Sequence, residues 1–165
     1  MKTFTYPFLY KIFFRFGNIP FTILLAAYIV PSVDQLDKDL IFLIPLIISL
    51  VLIYYLNKQY FALYKIVPYK IEAYDDHIVC SNFAFQEKVV EIYFQDIDSL
   101  KGGIYEGKLK GMLKIYDSKN KITIGYFSKL KDSNKLGTIL LSKVRKSVYD
   151  EVINKITEAG KRKGK

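Results

Sequence analysis

The hydrophobic pattern of this chain changes character twice. Long apolar runs dominate up to about residue 62, strict alternation follows from Val67 to Phe127, and a helical stripe begins near Ser133. The longest run, Leu40 to Leu56, holds 17 residues without a charge. As a helix it spans roughly 26 Å, close to the bilayer's hydrocarbon thickness of about 30 Å. A second stretch, Phe16 to Val33, also lacks charges but contains Asn18, Pro20 and Pro31. Both read as membrane spans, at 16–33 and 40–56, within a helical hairpin over residues 1–62.

Charge orients the hairpin. Asp34, Asp37 and Asp39 outnumber Lys38 between the spans, whereas Lys2, Lys11 and Arg15 precede the first and Lys58, Lys65 and Lys70 follow the second. The positive-inside rule then puts both termini in the cytoplasm of a multi-pass inner-membrane protein. Aromatic residues cluster at the cytoplasmic ends: Phe4, Tyr6, Phe8, Tyr10, Phe13, Phe14 and Phe16 on one side, Tyr54, Tyr55, Tyr60, Phe61 and Tyr64 on the other. Such rings suit headgroup depth. A cleaved signal peptide is the competing reading of the N-terminus, but its basic region is too long and no small-x-small site follows.

From Val67 the period is two. Tyr69, Ile71 and Ala73 alternate with polar neighbours, Asp75-Asp76 makes a turn, and Ile78 and Cys80 return on one face. A third strand, Lys88 to Phe94, turns Val90, Ile92 and Phe94 inward, and a fourth runs from Ile97 to Ile104. Met112–Tyr116 and Lys121–Phe127 form a second hairpin in which Leu113 and Ile115 pair with Ile122 and Ile124. One helix capped by Ser133 then carries Leu136, Leu140, Val144, Val148, Val152 and Ile156 and stops at Gly160. The fold class is α+β, with six strands and a C-terminal helix over residues 65–158 and a basic tail at 159–165.

Three stretches carry a family resemblance: IEAYDDHIVC, VVEIYFQDIDSL and KLKGMLKIYDSKNKITI. Residues from about Lys65 to Ile156 resemble the bacterial pleckstrin-homology-like (PH-like) domain family, often found behind two transmembrane helices. The resemblance implies a bent, barrel-like sheet of seven strands closed by the helix, leaving one short strand to be found. It also implies, as an alternative role, bacteriocin or membrane-stress resistance or immunity. Phosphoinositide-binding members of the wider fold carry basic residues in the first hairpin, where this chain is read as having YDDH.

Chemistry-bearing residues are few: one His, one Cys, no Trp. His77 reads as an exposed strand residue, Cys80 as a core residue and Asp75-Asp76 as a turn. The segment KGGIYEGKLKG lacks the Lys-Ser/Thr pair of a phosphate loop. No catalytic set, metal site or cofactor is expected, and the lone cysteine cannot form an intrachain disulfide.

Net charge is +9, and from Lys65 onward 20 basic and 13 acidic side chains leave +7. Lys101, Lys108, Lys110, Lys114, Lys129 and Lys131 are the candidate contacts for an anionic lipid headgroup or a protein partner. Besides the bilayer, the expected partners are a protein or a second copy of the chain; nucleic acid is not expected, because neither a stacking platform nor a recognition helix is evident.

Overall fold

The structure is a computed structural model describing residues 1–108 and 111–163. The chain is α+β, with two antiparallel sheets and, among the described residues, five α-helices. It divides into two compact units. One joins Met1–Phe8 to Ile66–Lys165, and the other is Leu9–Lys65.

In the first unit, β1 (Lys2–Thr5), β2 (Pro68–Ala73), β3 (His77–Phe83) and β4 (Val90–Tyr93) form a sheet in that order. A second sheet holds β5 (Ser99–Lys101), β6 (Met112–Asp117) and β7 (Ile122–Phe127). The strand missing from the sequence reading is therefore N-terminal. Lys2–Thr5 pairs with Lys70–Ala73, so these residues belong to the β unit and not to the hairpin of residues 1–62. Phe4 and Tyr6, expected at a membrane interface, are instead 3% and 2% exposed in the core of this unit. Their spacing of two already matches a strand.

The other inward positions follow the alternation. Tyr69, Ile71, Ala73, Ile78, Cys80, Val90 and Ile92 are buried on the first sheet, and Leu100, Leu113, Ile115, Ile124 and Tyr126 on the second. Ile115 lies opposite Ile124, but Leu113 faces Tyr126 and Ile122 faces Asp117. Buried Asp117 causes this: its carboxylate accepts from the Asn120 backbone at 3.1 Å and side chain at 2.7 Å, tightening the turn. A shift of two residues leaves each side chain on its face. The fourth strand is shorter than expected, because a 3-10 turn occupies Gly103–Glu106 after a left-handed Gly102.

The single expected helix is two, α4 (Ser133–Lys143) and α5 (Lys146–Lys163). A spacing of four advances about 40° beyond each full turn, so one straight helix cannot hold all six apolar residues on one face. Extended Val144 breaks it, and Leu136, Leu140, Val148 and Val152 are all buried. Ser133 is the first helical residue, its hydroxyl donating to the Ser128 carbonyl at 3.0 Å; the cap position is Asp132. Gly160 does not stop α5, which continues to Lys163; Gly164 and Lys165 of the expected tail lie outside the described residues.

The other unit is built from α1 (Phe8–Phe16), α2 (Asn18–Asp34) and α3 (Leu43–Ile66), the last preceded by a 3-10 turn at Leu40–Phe42 capped by Asp39. Leu40–Ile66 is long and apolar enough to cross a membrane, an 18-residue window within it having a mean hydropathy of 2.4. It extends ten residues past the Leu56 limit read from the sequence, so Tyr60, Phe61 and Tyr64 ride on the helix itself. α1 and α2 meet the same test only as a pair bent by 41° at Gly17. A side chain at Gly17 would meet the Tyr60 hydroxyl and the Phe13 carbonyl.

Burial in this unit is inverted. Ile19, Phe21, Ile23, Leu24, Ile44, Ile47, Ile48 and Leu50 are exposed, whereas Asn18, Ser32 and Ser49 are buried. Asn18 donates to Asn57 at 2.8 Å, Asn57 donates to Thr22 at 3.1 Å and to the Ile53 carbonyl at 2.9 Å, and Tyr64 lies 2.9 Å from Asn18. These bonds fasten α2 to α3 through polar groups, which water would not favour but hydrocarbon would.

Candidate functional site

Strand register assembles the lysines. Ser99 lies opposite Tyr116 and Tyr116 opposite Thr123; in the next row Lys101 lies opposite Lys114 and Lys114 opposite Gly125. A period of two keeps both rows on the outer face of the sheet. There Ser99, Lys101, Lys114, Tyr116 and Thr123 line a groove of about 270 Å³. Lys101 and Lys114 are exposed, and no carboxylate among the described residues forms an ion pair with either. Like charges directly opposite on neighbouring strands are destabilising. An anion in the groove would offset that repulsion, with two ammonium groups and three hydroxyls as donors.

Lys129 and Lys131 occupy the loop between β7 and α4. The Lys131 backbone N–H donates to the Thr5 carbonyl at 3.1 Å, and the Phe127 N–H donates to the Tyr6 hydroxyl at 2.7 Å. Burial raises the Tyr6 pKa, so its hydroxyl stays neutral. Both lysines therefore sit at the end of the β unit where β1 runs on toward α1.

Lys108 stands apart from these. Lys108 forms an ion pair with Glu106 at 3.1 Å, and the Glu106 carboxyl is held below its ordinary range first by the Gly102 backbone and then by Lys108. Lys110 lies outside the described residues. The structure thus brings together Lys101 with Lys114, and ties Lys131 to the end of β1.

Sequence reasoning missed Ser99, Tyr116 and Thr123. Each lies two residues from a member of the lysine row or across from one that does, so the signal existed, but reading it needed the register.

The acidic turn also changes meaning. YDDH joins β2 to β3 rather than forming the first hairpin, because β1 precedes it in the sheet. It says nothing about the charge between β1 and β2. His77 is only partly exposed, stacked on Tyr74 at 4.7 Å and tilted against Tyr93 at 5.4 Å. Its Nδ1 lies 2.6 Å from Asp76 and its Nε2 lies 3.4 Å from Glu91. The two carboxylates approach different ring nitrogens, and no metal-holding group of three or more His, Cys, Asp or Glu occurs among the described residues. Lys143 donates to the Asp75 carbonyl at 2.6 Å, tying α4 to this turn. Cys80 is fully buried, its thiol pushed up to about 12 by desolvation.

No family model matches this chain, and no match to it was found among the curated proteins or the solved structures.

Proposed function

We propose that this is a non-enzymatic integral membrane protein that holds a PH-like module at the cytoplasmic membrane surface, where the module's lysines engage anionic lipid headgroups. One observation carries the reading: a helical unit with inverted burial is spliced between neighbouring strands of one sheet. A segment that leaves from β1 and returns into β2 must re-emerge on the side it left. If it crosses the bilayer, it crosses an even number of times, here as the bent pair and as α3. The lysine-rich ends and the acidic Asp34–Asp39 turn then give the orientation, with both termini in the cytoplasm.

The PH-like reading is supported by seven strands among the described residues, in antiparallel sheets of four and three consecutive strands, followed by the C-terminal helices. The tethers are short. Two residues separate β1 from α1, and Val67 alone separates α3 from β2. A module tied this closely at both ends stays at the surface, where each basic residue contributes on the order of 1 kcal/mol against anionic lipid.

Cysteine labelling tests the topology, and the native thiol is silent because Cys80 is buried. In intact cells a membrane-impermeant maleimide should label Asp37→Cys but not Lys131→Cys; labelling of Lys131→Cys would overturn the reading. For the lipid, hydrogen exchange is compared in nanodiscs of phosphatidylglycerol and phosphatidylcholine. Protection of β5–β7 and the 128–132 loop should be greater in phosphatidylglycerol and lost in the Lys101→Glu, Lys114→Glu double variant.

A further inference from the structure

The register of the first sheet separates its two ends. β1 finishes with Thr5 opposite Lys70, and β2 starts with Pro68 opposite Phe83, the last residue of β3. Three things therefore share one end: the exit from β1, the entry from Ile66 and the β3–β4 loop, Ala84–Val89. The opposite end carries the Asp75-Asp76 turn.

The β3–β4 loop exposes two large apolar side chains on either side of Gln86, Glu87 and Lys88. Phe85 is 60% exposed and Val89 69%, while Ala84 between Phe83 and Phe85 is buried. The Gln86 N–H approaches the Phe83 carbonyl at 3.4 Å, closing a tight turn. Within it Phe85 adopts a φ of +56°, a left-handed conformation that a bulky residue rarely takes. Asn82, just before, is also left-handed at +58°. The fold thus keeps Phe85 largely exposed at a conformational cost. Glu87 and Lys88 are adjacent and opposite in charge, so attraction to an anionic surface does not account for the loop.

We infer that the β3–β4 loop is an interfacial wedge, with Phe85 and Val89 seated in the headgroup and upper acyl region of the same bilayer that α3 crosses. This rests on the membrane reading above. It adds an apolar contact to the lysine contacts, made by residues that sit at the sheet end nearest the tethers in the chain. Aromatic and aliphatic side chains at that depth gain burial without needing a specific headgroup.

The chain has no tryptophan, so a single introduced indole reports its own position. Four full-length variants are prepared in nanodiscs of phosphatidylglycerol with phosphatidylcholine brominated near the top of the acyl chain or, for Leu50→Trp, near its end: Phe85→Trp, Val89→Trp, Leu50→Trp within α3, and Gln95→Trp beside the acidic turn. Phe85→Trp keeps an aromatic ring at the left-handed position, and Val89→Trp tests the loop independently. The expected result is bromine quenching and blue-shifted emission for positions 85, 89 and 50, with Gln95→Trp unquenched and open to acrylamide. Quenching at 50 but not at 85 or 89 overturns the wedge and leaves the membrane reading standing. Absence of quenching at 50 overturns both.

Discussion

Phe4 faces Ile71 across β1 and β2, with the whole apolar segment lying between them in the chain. A strand at the sheet's edge thus closes only after the polypeptide has gone out through α1 and α2 and come back through α3. Its stabilisation comes from side-chain burial, since Phe4 and Tyr6 are almost inaccessible. Replacing Phe4 with Ala should cost the β unit about 3–5 kcal/mol, the range for truncating a buried phenylalanine. Chemical denaturation in detergent, followed by protease sensitivity of the β unit, measures it. A change near zero would mean that β1 is dispensable.

That strand was also the hardest element to read. Four residues are too few for a periodicity, and an aromatic-rich segment ahead of an apolar run looks like an interface. Only the spacing of Phe4 and Tyr6 distinguished the two. The hairpins of β2–β3 and β6–β7 were legible because their alternation and turn residues are local. The break at Val144 was latent in the four-residue spacing of the stripe. The lysines stood out by density, but the pairing of Lys101 with Lys114 depends on the β5–β6 register, which local alternation does not reveal.

Tyr105 and Tyr126 bury their hydroxyls against each other at 2.9 Å. Removing one hydroxyl leaves the other without that bond, which costs about 1–3 kcal/mol, whereas removing both is close to neutral. Tyr126→Phe should therefore destabilise more than the Tyr105→Phe, Tyr126→Phe pair. Burial raises both pKa values above the ordinary 10.0, so the native state keeps protons that the unfolded chain loses. The resulting stability is complete below about pH 10 and falls as pH rises beyond it. Urea midpoints at increasing pH should fall less steeply in the double variant; equal slopes would count against the assignment.

Asp98 gathers three contacts from two directions. It accepts from the Ser118 hydroxyl, from the Ser118 backbone at 2.6 Å and from Arg145 at 2.6 Å. Ser118, and then Arg145, hold its carboxyl below the usual range. A depressed carboxylate stabilises the fold above its unfolded pKa of about 3.9, and that contribution is lost as pH falls through the folded value. Asp98→Asn should lower the melting temperature at pH 7 and narrow its difference from the parent at pH 2. A constant difference would show that the charge is not involved.

Gly107 ends the 3-10 turn at a φ of +67°, where an added Cβ would lie 2.6 Å from that of Ala159 on α5. Gly107→Ala therefore meets two obstacles, a left-handed backbone costing about 1–2 kcal/mol and a contact with the helix. Ala159→Gly removes only the second, while itself costing up to about 1 kcal/mol in helix propensity. A double-mutant cycle should show favourable coupling that rescues part of the loss. Simple additivity would place the whole cost in the backbone.

Lys101 and Lys114 allow a structural role to be separated from a binding role. If the pair merely decorates the surface, Lys101→Glu replaces a cross-strand repulsion by an attraction and should stabilise the sheet by roughly 0.2–1 kcal/mol, with no further consequence. If the groove receives an anion, the same substitution should still stabilise the protein in zwitterionic nanodiscs yet abolish the added protection of β5–β7 seen with phosphatidylglycerol. Stability and lipid response then move in opposite directions. Lys101→Arg keeps the charge and should preserve the response, because the donors remain. Raising the salt should weaken both the repulsion and the lipid response, since both involve exposed charges. If Lys101→Glu stabilises the sheet and leaves the phosphatidylglycerol response intact, the groove is not the headgroup site, and the response belongs to Lys129 and Lys131.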